Sequence, residues 1–320
     1  MDLLKKINTK AKADFNTGFG TSAASYGGRF INKDGSPNIQ KRGLTWFDRI
    51  SWYHTMLKMP RLKFMAVLFA FYTVVNFIFA SVYYFIGVQY LDGIDAHGPE
   101  WIKFGKAYFF SAQTFTTVGY GHISPNGFLT SAVAATEALV GLLSFAIATG
   151  LFFGRFSRPR AYLKFSHNAL ISPYRQNQRA LMLRMAPHKN TLLTDAQAKI
   201  TLGMIIEENG QMVNKFYSLD LELSEVNSLT LSWTLVHPIS ESSPLFGFTA
   251  DDFKTIDGEF IVYVKAFDDM YSTTVSASTS YTFDEIVYGA KFEMMYSDSD
   301  DDSRTILHLD KLNTFNQMTL

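Results

Sequence analysis

The chain has 320 residues, 47% of them hydrophobic and only 18% charged, with no cysteine and 29 basic against 29 acidic side chains. A disulfide framework, a thiolate metal centre and a cysteine nucleophile are excluded, and so apolar a composition is not that of a disordered chain. The neutral total argues against a nucleic-acid partner, yet it hides segments of opposite sign: net +8 over residues 1–63, −2 over 64–153, +4 over 154–164 and −10 over 165–320.

Residues 1–43 are rich in Gly, Ser and Asn and read as a mobile tail; Lys5, Lys6, Lys10 and Lys12 have no apolar run behind them and so no secretory signal. Residues 44–59 read as a helix lying in a membrane interface. Trp46, Phe47, Ile50, Tyr53, Met56 and Leu57 recur at helical spacing, Thr45 and Asp48 suit an N-terminal cap, and Pro60 ends the run. Residues 64–88 carry no charge over 25 positions. As a helix they would be about 37 Å long, enough to cross a hydrocarbon core of about 30 Å.

The aromatic run 108–116 fits a short pore helix. It leads into Thr117-Val118-Gly119-Tyr120-Gly121, the signature of a potassium selectivity filter. There, backbone carbonyls replace the hydration shell of the ion. Gly119 and Gly121 allow the dihedrals that such a loop needs. Potassium, held by the carbonyls of Thr117, Val118, Gly119 and Tyr120, is then the cargo, and no organic cofactor is implied. One loop cannot close a ring, so the motif calls for a homotetramer.

Residues 128–153 form a second span with a single charge, Glu137. An intramembrane carboxylate is expensive and usually functional, so Glu137 is expected at the pore cavity or beside the filter, with a hydrogen-bonded structural role as the alternative. Gly141 and Gly150 suit either a hinge or a packing contact. Lys58, Arg61 and Lys63 precede the first span, and Arg155, Arg158, Arg160 and Lys164 follow the second, whereas the intervening loop has only Lys103 and Lys106. That bias places both termini in the cytoplasm and the spans in the cell's inner membrane.

Beyond the second span come apolar runs of strand length at 180–185, 198–205, 229–235, 260–266 and 273–277, with turn formers such as Asn209-Gly210, Ser242-Ser243-Pro244 and Asp257-Gly258 between them. This predicts an all-β sandwich. Asp298, Asp300, Asp301 and Asp302 imitate the start of a calcium loop, but Ser303 and Leu309 stand where that loop needs Gly and Glu, so a solvated loop is expected.

The pair of spans and the filter, with Asp48, Tyr53 and His54 before them, resemble the bacterial branch of the inward-rectifier potassium channels. Gly154-Arg155-Phe156-Ser157-Arg158-Pro159-Arg160-Ala161 after the second span, His237-Pro238 and Ser280-Tyr281 extend the likeness over residues 45–310. The resemblance implies a membrane α-helical two-span pore at 60–157 and a cytoplasmic, immunoglobulin-like β-sandwich at 158–320. It implies a cavity lined by Phe145 and Thr149 with Glu137, and a gate at Phe153, with Phe152 as the competing position. Phe145 stands where the family places a rectification-controlling acid, and Gln113 and Ile123 stand where charges flank other filters. Arg61, Lys63, Arg155, Arg158, Arg160 and Lys164 lie where the family meets anionic lipid, and segment 269–275 resembles its loop at the cytoplasmic pore entrance. No nucleophile, base and oxyanion arrangement marks an enzyme. The rival readings are a two-span channel gated by another cytoplasmic ligand and a membrane-anchored β-sandwich receptor.

Overall fold

The computed structural model describes residues 11, 13, 14, 29–43, 45, 51–95, 97–175, 178–189, 191–208, 211–299 and 303–319. They fall into two compact units, residues 42–158 and residues 159–320 together with the described part of 1–41.

The first unit is helical. Helix α1 (Trp52–Lys58) starts after Ser51, and Pro60 forces Met59 out of helical geometry, with ψ at 143°, before α2 (Arg61–Ile86) begins. Only this second half of the expected interfacial helix is described; residues 46–50, with Asp48 of the expected cap, lie outside the described residues. Helix α3 (Glu100–Phe115) and helix α4 (Phe128–Phe156) follow. At 26 and 29 residues, α2 and α4 would be about 39 and 43 Å long. Phe69, Phe85, Leu139 and Leu143 leave most of their surface uncovered, so neither is the core helix of a globular domain.

The three long helices meet at Ala80, Tyr83, Leu91, Ala107, Phe110, Ile123 and Ala134. The alanines let backbones approach, and the Tyr83 and Phe110 rings fill the gap edge to face, 5.1 Å apart. Strands β1 (Leu91–Asp92) and β2 (Ser124–Pro125) pair antiparallel, bracketing α3 and the loop after it.

The second unit is two five-stranded sheets over one core. One sheet joins β3 (Leu163–Phe165), β4 (Ala169–Tyr174), β5 (Gln178–Pro187), β9 (Trp233–Ile239) and β12 (Ile286–Tyr288). The other joins β6 (Leu193–Glu208), β7 (Gln211–Leu219), β8 (Glu225–Leu229), β10 (Gly258–Asp268) and β11 (Thr273–Thr282). Phe260, Val262, Val264 and Ala266 point inward from β10 at a period of two, against Leu181, Leu183 and Met185 of the facing sheet.

Strand β5 reads as a continuous apolar run because both of its faces are covered. Its second face carries Ala186, packed with Met295 and Leu312 of the C-terminal segment. Arg184 beside it is buried and donates to the carbonyls of Glu293, Lys311 and Leu312. Burial holds its guanidinium down at about 10.

Two expectations are corrected. The run 229–235 is not one strand: β8 ends at Leu229 and β9 begins at Trp233. Nor is all of 1–43 a loose tail. Phe30 is 4% exposed, with its ring 5.3 Å from Phe216, and its neighbours are bonded to β10 and β11. The acidic residues at 300–302 lie outside the described residues, and Asp298 sits in a short strand, β13 (Tyr296–Asp298).

Candidate functional site

The C-terminal turn of α3 grips the pentad that follows it. The Gln113 carbonyl accepts the Val118 N–H at 2.9 Å and the Gly119 N–H at 3.4 Å, and the Thr114 carbonyl accepts that of Thr117 at 3.0 Å. From there φ is positive at every second residue: 59° at Thr117, 56° at Gly119 and 79° at Gly121. In a regular strand successive carbonyls alternate sides; residues of alternating hand turn them toward one side, which an ion path lined by carbonyls requires. Thr117 is the informative member, because a β-branched residue in that region costs on the order of 1–3 kcal/mol. Residues 116–122 are all exposed in the single chain.

Helix α4 divides into two halves. Thr130, Ala134, Glu137 and Gly141 are its buried positions, at steps of four, three and four, and they face inward against α2 and α3. Phe145, Thr149 and Phe153 follow at steps of four along the lower half, and all three are exposed in the single chain. The Thr149 hydroxyl donates to the Phe145 carbonyl at 2.9 Å, so it needs no other acceptor in an apolar setting.

Glu137 does not belong with the cavity residues. It is fully buried, bonded to the hydroxyls of Ser111 on α3 and, at 2.7 Å, Tyr83 on α2. Only the cavity half of the expectation fails, because the helical stripe it shares with Gly141 faces the pore helix. Gly141 is a packing position: a Cβ there would collide with the Phe115 carbonyl, whereas Gly150 has open space around it. Phe152 is engaged with its own chain, its ring 5.2 Å from Phe64, while Phe153 is 72% exposed. Of the two, Phe153 is the ring that its own chain leaves uncovered.

Arg155 is also corrected. Its guanidinium donates to the Met59 carbonyl at 2.8 Å and to that of Met56, and it lies 4.4 Å from the Phe64 ring centre. It caps the C-terminus of α1, where a cation is favoured. Arg61, Lys63, Arg160 and Lys164 are exposed and Arg158 is half-buried, and none of them forms an ion pair among the described residues.

In the second unit His237 is a structural histidine. Its Nδ1 donates to the Asp220 carbonyl at 2.7 Å, and its Nε2 lies 2.8 Å from the Ser243 hydroxyl. The hairpin containing 269–275 is pinned by buried Asp268, whose carboxylate accepts the Met270 and Tyr271 N–H groups. Sequence reasoning passed over Ser111, Asn76 and Tyr83, the polar groups around Glu137. The available signal was a lone Asn within a chargeless span.

The C-terminal domain of inward rectifier potassium channels matches residues 163–319, and an ion channel family matches residues 66–158. Inward rectifier potassium channel Kirbac3.1 of Paramagnetospirillum magnetotacticum is 33% identical over 87% of this chain and 92% of its own length. ATP-sensitive inward rectifier potassium channel 12 of Gallus gallus is 26% identical over 83% of this chain and 66% of its own length. Inward rectifier potassium channel 18 of Homo sapiens is 24% identical over the same shares, 83% and 66%. A β domain of this family, following a pore region of an ion channel family, sets aside the receptor reading. The chain belongs to the inward rectifier potassium channel family, a membrane protein and an ion channel, not an enzyme.

Proposed function

We propose that four copies of this chain form a pore in which potassium passes along the carbonyls of Thr117, Val118, Gly119 and Tyr120. The observation that carries the reading is the alternation of positive φ at 117, 119 and 121, in a loop that one chain leaves uncovered. An ion leaving water needs a cage of oxygens on all sides, and one loop offers them on one side only. Below the filter, Phe145 and Thr149 line the cavity, and Phe153, on the same face, supplies one quarter of an apolar collar. Such a collar closes by expelling water and needs no charged latch. Phe145 brings no charge to the cavity, so strong block by cytoplasmic polyamines or magnesium is not expected. Arg61, Lys63, Arg158, Arg160 and Lys164 meet anionic headgroups, each worth about 1 kcal/mol near such a leaflet.

The test is rubidium uptake into liposomes. Phe153→Ala is expected to raise the uptake rate severalfold, while Phe152→Ala, which loosens ring contacts with Phe64 and Phe156, leaves gating near wild type. Equal uptake by wild type and Phe153→Ala would remove Phe153 from the gate.

A further inference from the structure

Glu137 is fully buried, and no basic side chain pairs with it among the described residues. Its Oε2 accepts the Tyr83 hydroxyl at 2.7 Å, and its Oε1 is bonded to the Ser111 hydroxyl. The Ser111 oxygen also lies 3.0 Å from Asn76 Oδ1 and 3.2 Å from the Asn76 main-chain carbonyl. The Asn76 amide cannot turn the other way, because its Nδ2 donates to the Tyr72 carbonyl at 2.7 Å. Asn76 and Ser111 are themselves fully buried.

The hydrogens can be counted. With an ionised carboxylate, Glu137 Oε1, Asn76 Oδ1 and the Asn76 carbonyl compete for the one hydrogen of Ser111, leaving the Asn76 side-chain oxygen empty beside a buried, unpaired charge. With the acid neutral, every group is used once: Glu137 donates to Ser111, Ser111 donates to Asn76, and Tyr83 donates to Glu137. Among the described residues, Tyr83 is the titratable side chain hydrogen-bonded to the carboxyl.

We propose that Glu137 is a neutral carboxylic acid that positions the pore helix, and through it the filter, by donating a hydrogen bond to Ser111. Ser111 lies two residues before Gln113, whose carbonyl holds the Val118 and Gly119 amides of the filter. One turn along α4 from Glu137, Gly141 meets the Phe115 carbonyl, so the inner helix fixes α3 at two successive levels. Glu137 touches no ion, and its effect reaches the filter only through α3.

The functional half of the proposal rests on residues 117–120 being the ion path; the protonation half does not, and the test separates them. Infrared spectra of the full-length protein in liposomes at neutral pH are expected to show a carboxylic-acid carbonyl band that is missing from Glu137→Gln. Identical spectra would overturn the neutral acid. In the same liposomes, Glu137→Gln, which can still donate to Ser111 and accept from Tyr83, is expected to keep rubidium uptake and potassium-over-sodium discrimination within about twofold of wild type. Glu137→Ala is expected to lose about tenfold in one or the other while remaining an oligomer of wild-type size by size-exclusion chromatography. If Glu137→Ala fails to assemble, Ser111→Ala removes only the hydroxyl and makes the same comparison. A Glu137→Gln protein as impaired as the alanine variant would show that the negative charge matters, and would sink the positioning role.

Discussion

At the scale of single residues, two buried polar groups in different units follow one rule: each is neutral or paired because water cannot reach it. Glu137 is the case within the pore. His237 is the case in the β unit, where burial holds its imidazole below the ordinary histidine value and only the neutral ring both donates to the Asp220 carbonyl and accepts from Ser243. The sign of the linkage follows. Unfolding lets His237 return to about 6.5, so the unfolded chain binds more protons below that pH. The stability contributed by the neutral ring is complete above about pH 6.5 and falls as the pH drops through that value. His188 is shifted the same way, by burial and then by Lys164, so the effect is read as a difference. The melting temperature of wild type is expected to fall more steeply than that of His237→Gln between pH 7 and pH 5. Parallel curves would mean that the His237 ring keeps its solution value in the fold.

At the scale of elements, the segment 29–38 is a clasp on the β unit. The Phe30 and Ile31 N–H groups both donate to the buried Glu259 carboxylate, a charge-assisted pair of bonds, and Arg29 and Lys33 both reach Glu285. The Phe30 ring fills a site against Phe216 and Ile261. Truncating it forfeits about 3 kcal/mol of local burial and packing. Phe30→Ala is therefore expected to speed amide exchange across 29–38 by about a hundredfold without changing exchange in the central strands β6 and β10. Unchanged protection of 29–38 would show that Phe30 does not anchor the clasp. This element was hidden in the sequence because its composition is that of a loop and its anchor is main-chain N–H, which no side-chain pattern reveals. Glu259, an acid directly before the apolar run 260–262, was the one visible trace of its partner. Strands such as β10 were legible because burial on one face imposes a period of two. The spans were legible because lipid tolerates almost no charge over 25 residues. The direction in which Glu137 and Arg155 point was not, because a helix position acquires a face only when its neighbours are known.

At the scale of the whole molecule, the neutral sum of charges resolves into a basic membrane flank and an acidic β unit, and the helical unit is incomplete on its own. Its filter loop and the Phe145, Thr149 and Phe153 face of α4 have nothing over them in one chain. Channels of this family are tetramers, and for this chain the number can be read from function. Gly119 has φ of 56°, so Gly119→Ala places a Cβ where the left-handed conformation costs roughly 1–2 kcal/mol, next to Thr117 already held there. Within one chain nothing lies within 4 Å of that Cβ, and the variant is expected to assemble and fail only in conduction. When wild type and variant are co-expressed in equal amounts and mix at random, only about one tetramer in sixteen contains four intact loops. If one altered loop spoils the ring, rubidium uptake per protein should fall to about 6% of wild type. Pairs of chains would leave about a quarter and independently conducting chains about a half, so the residual flux counts the loops that share one ion path.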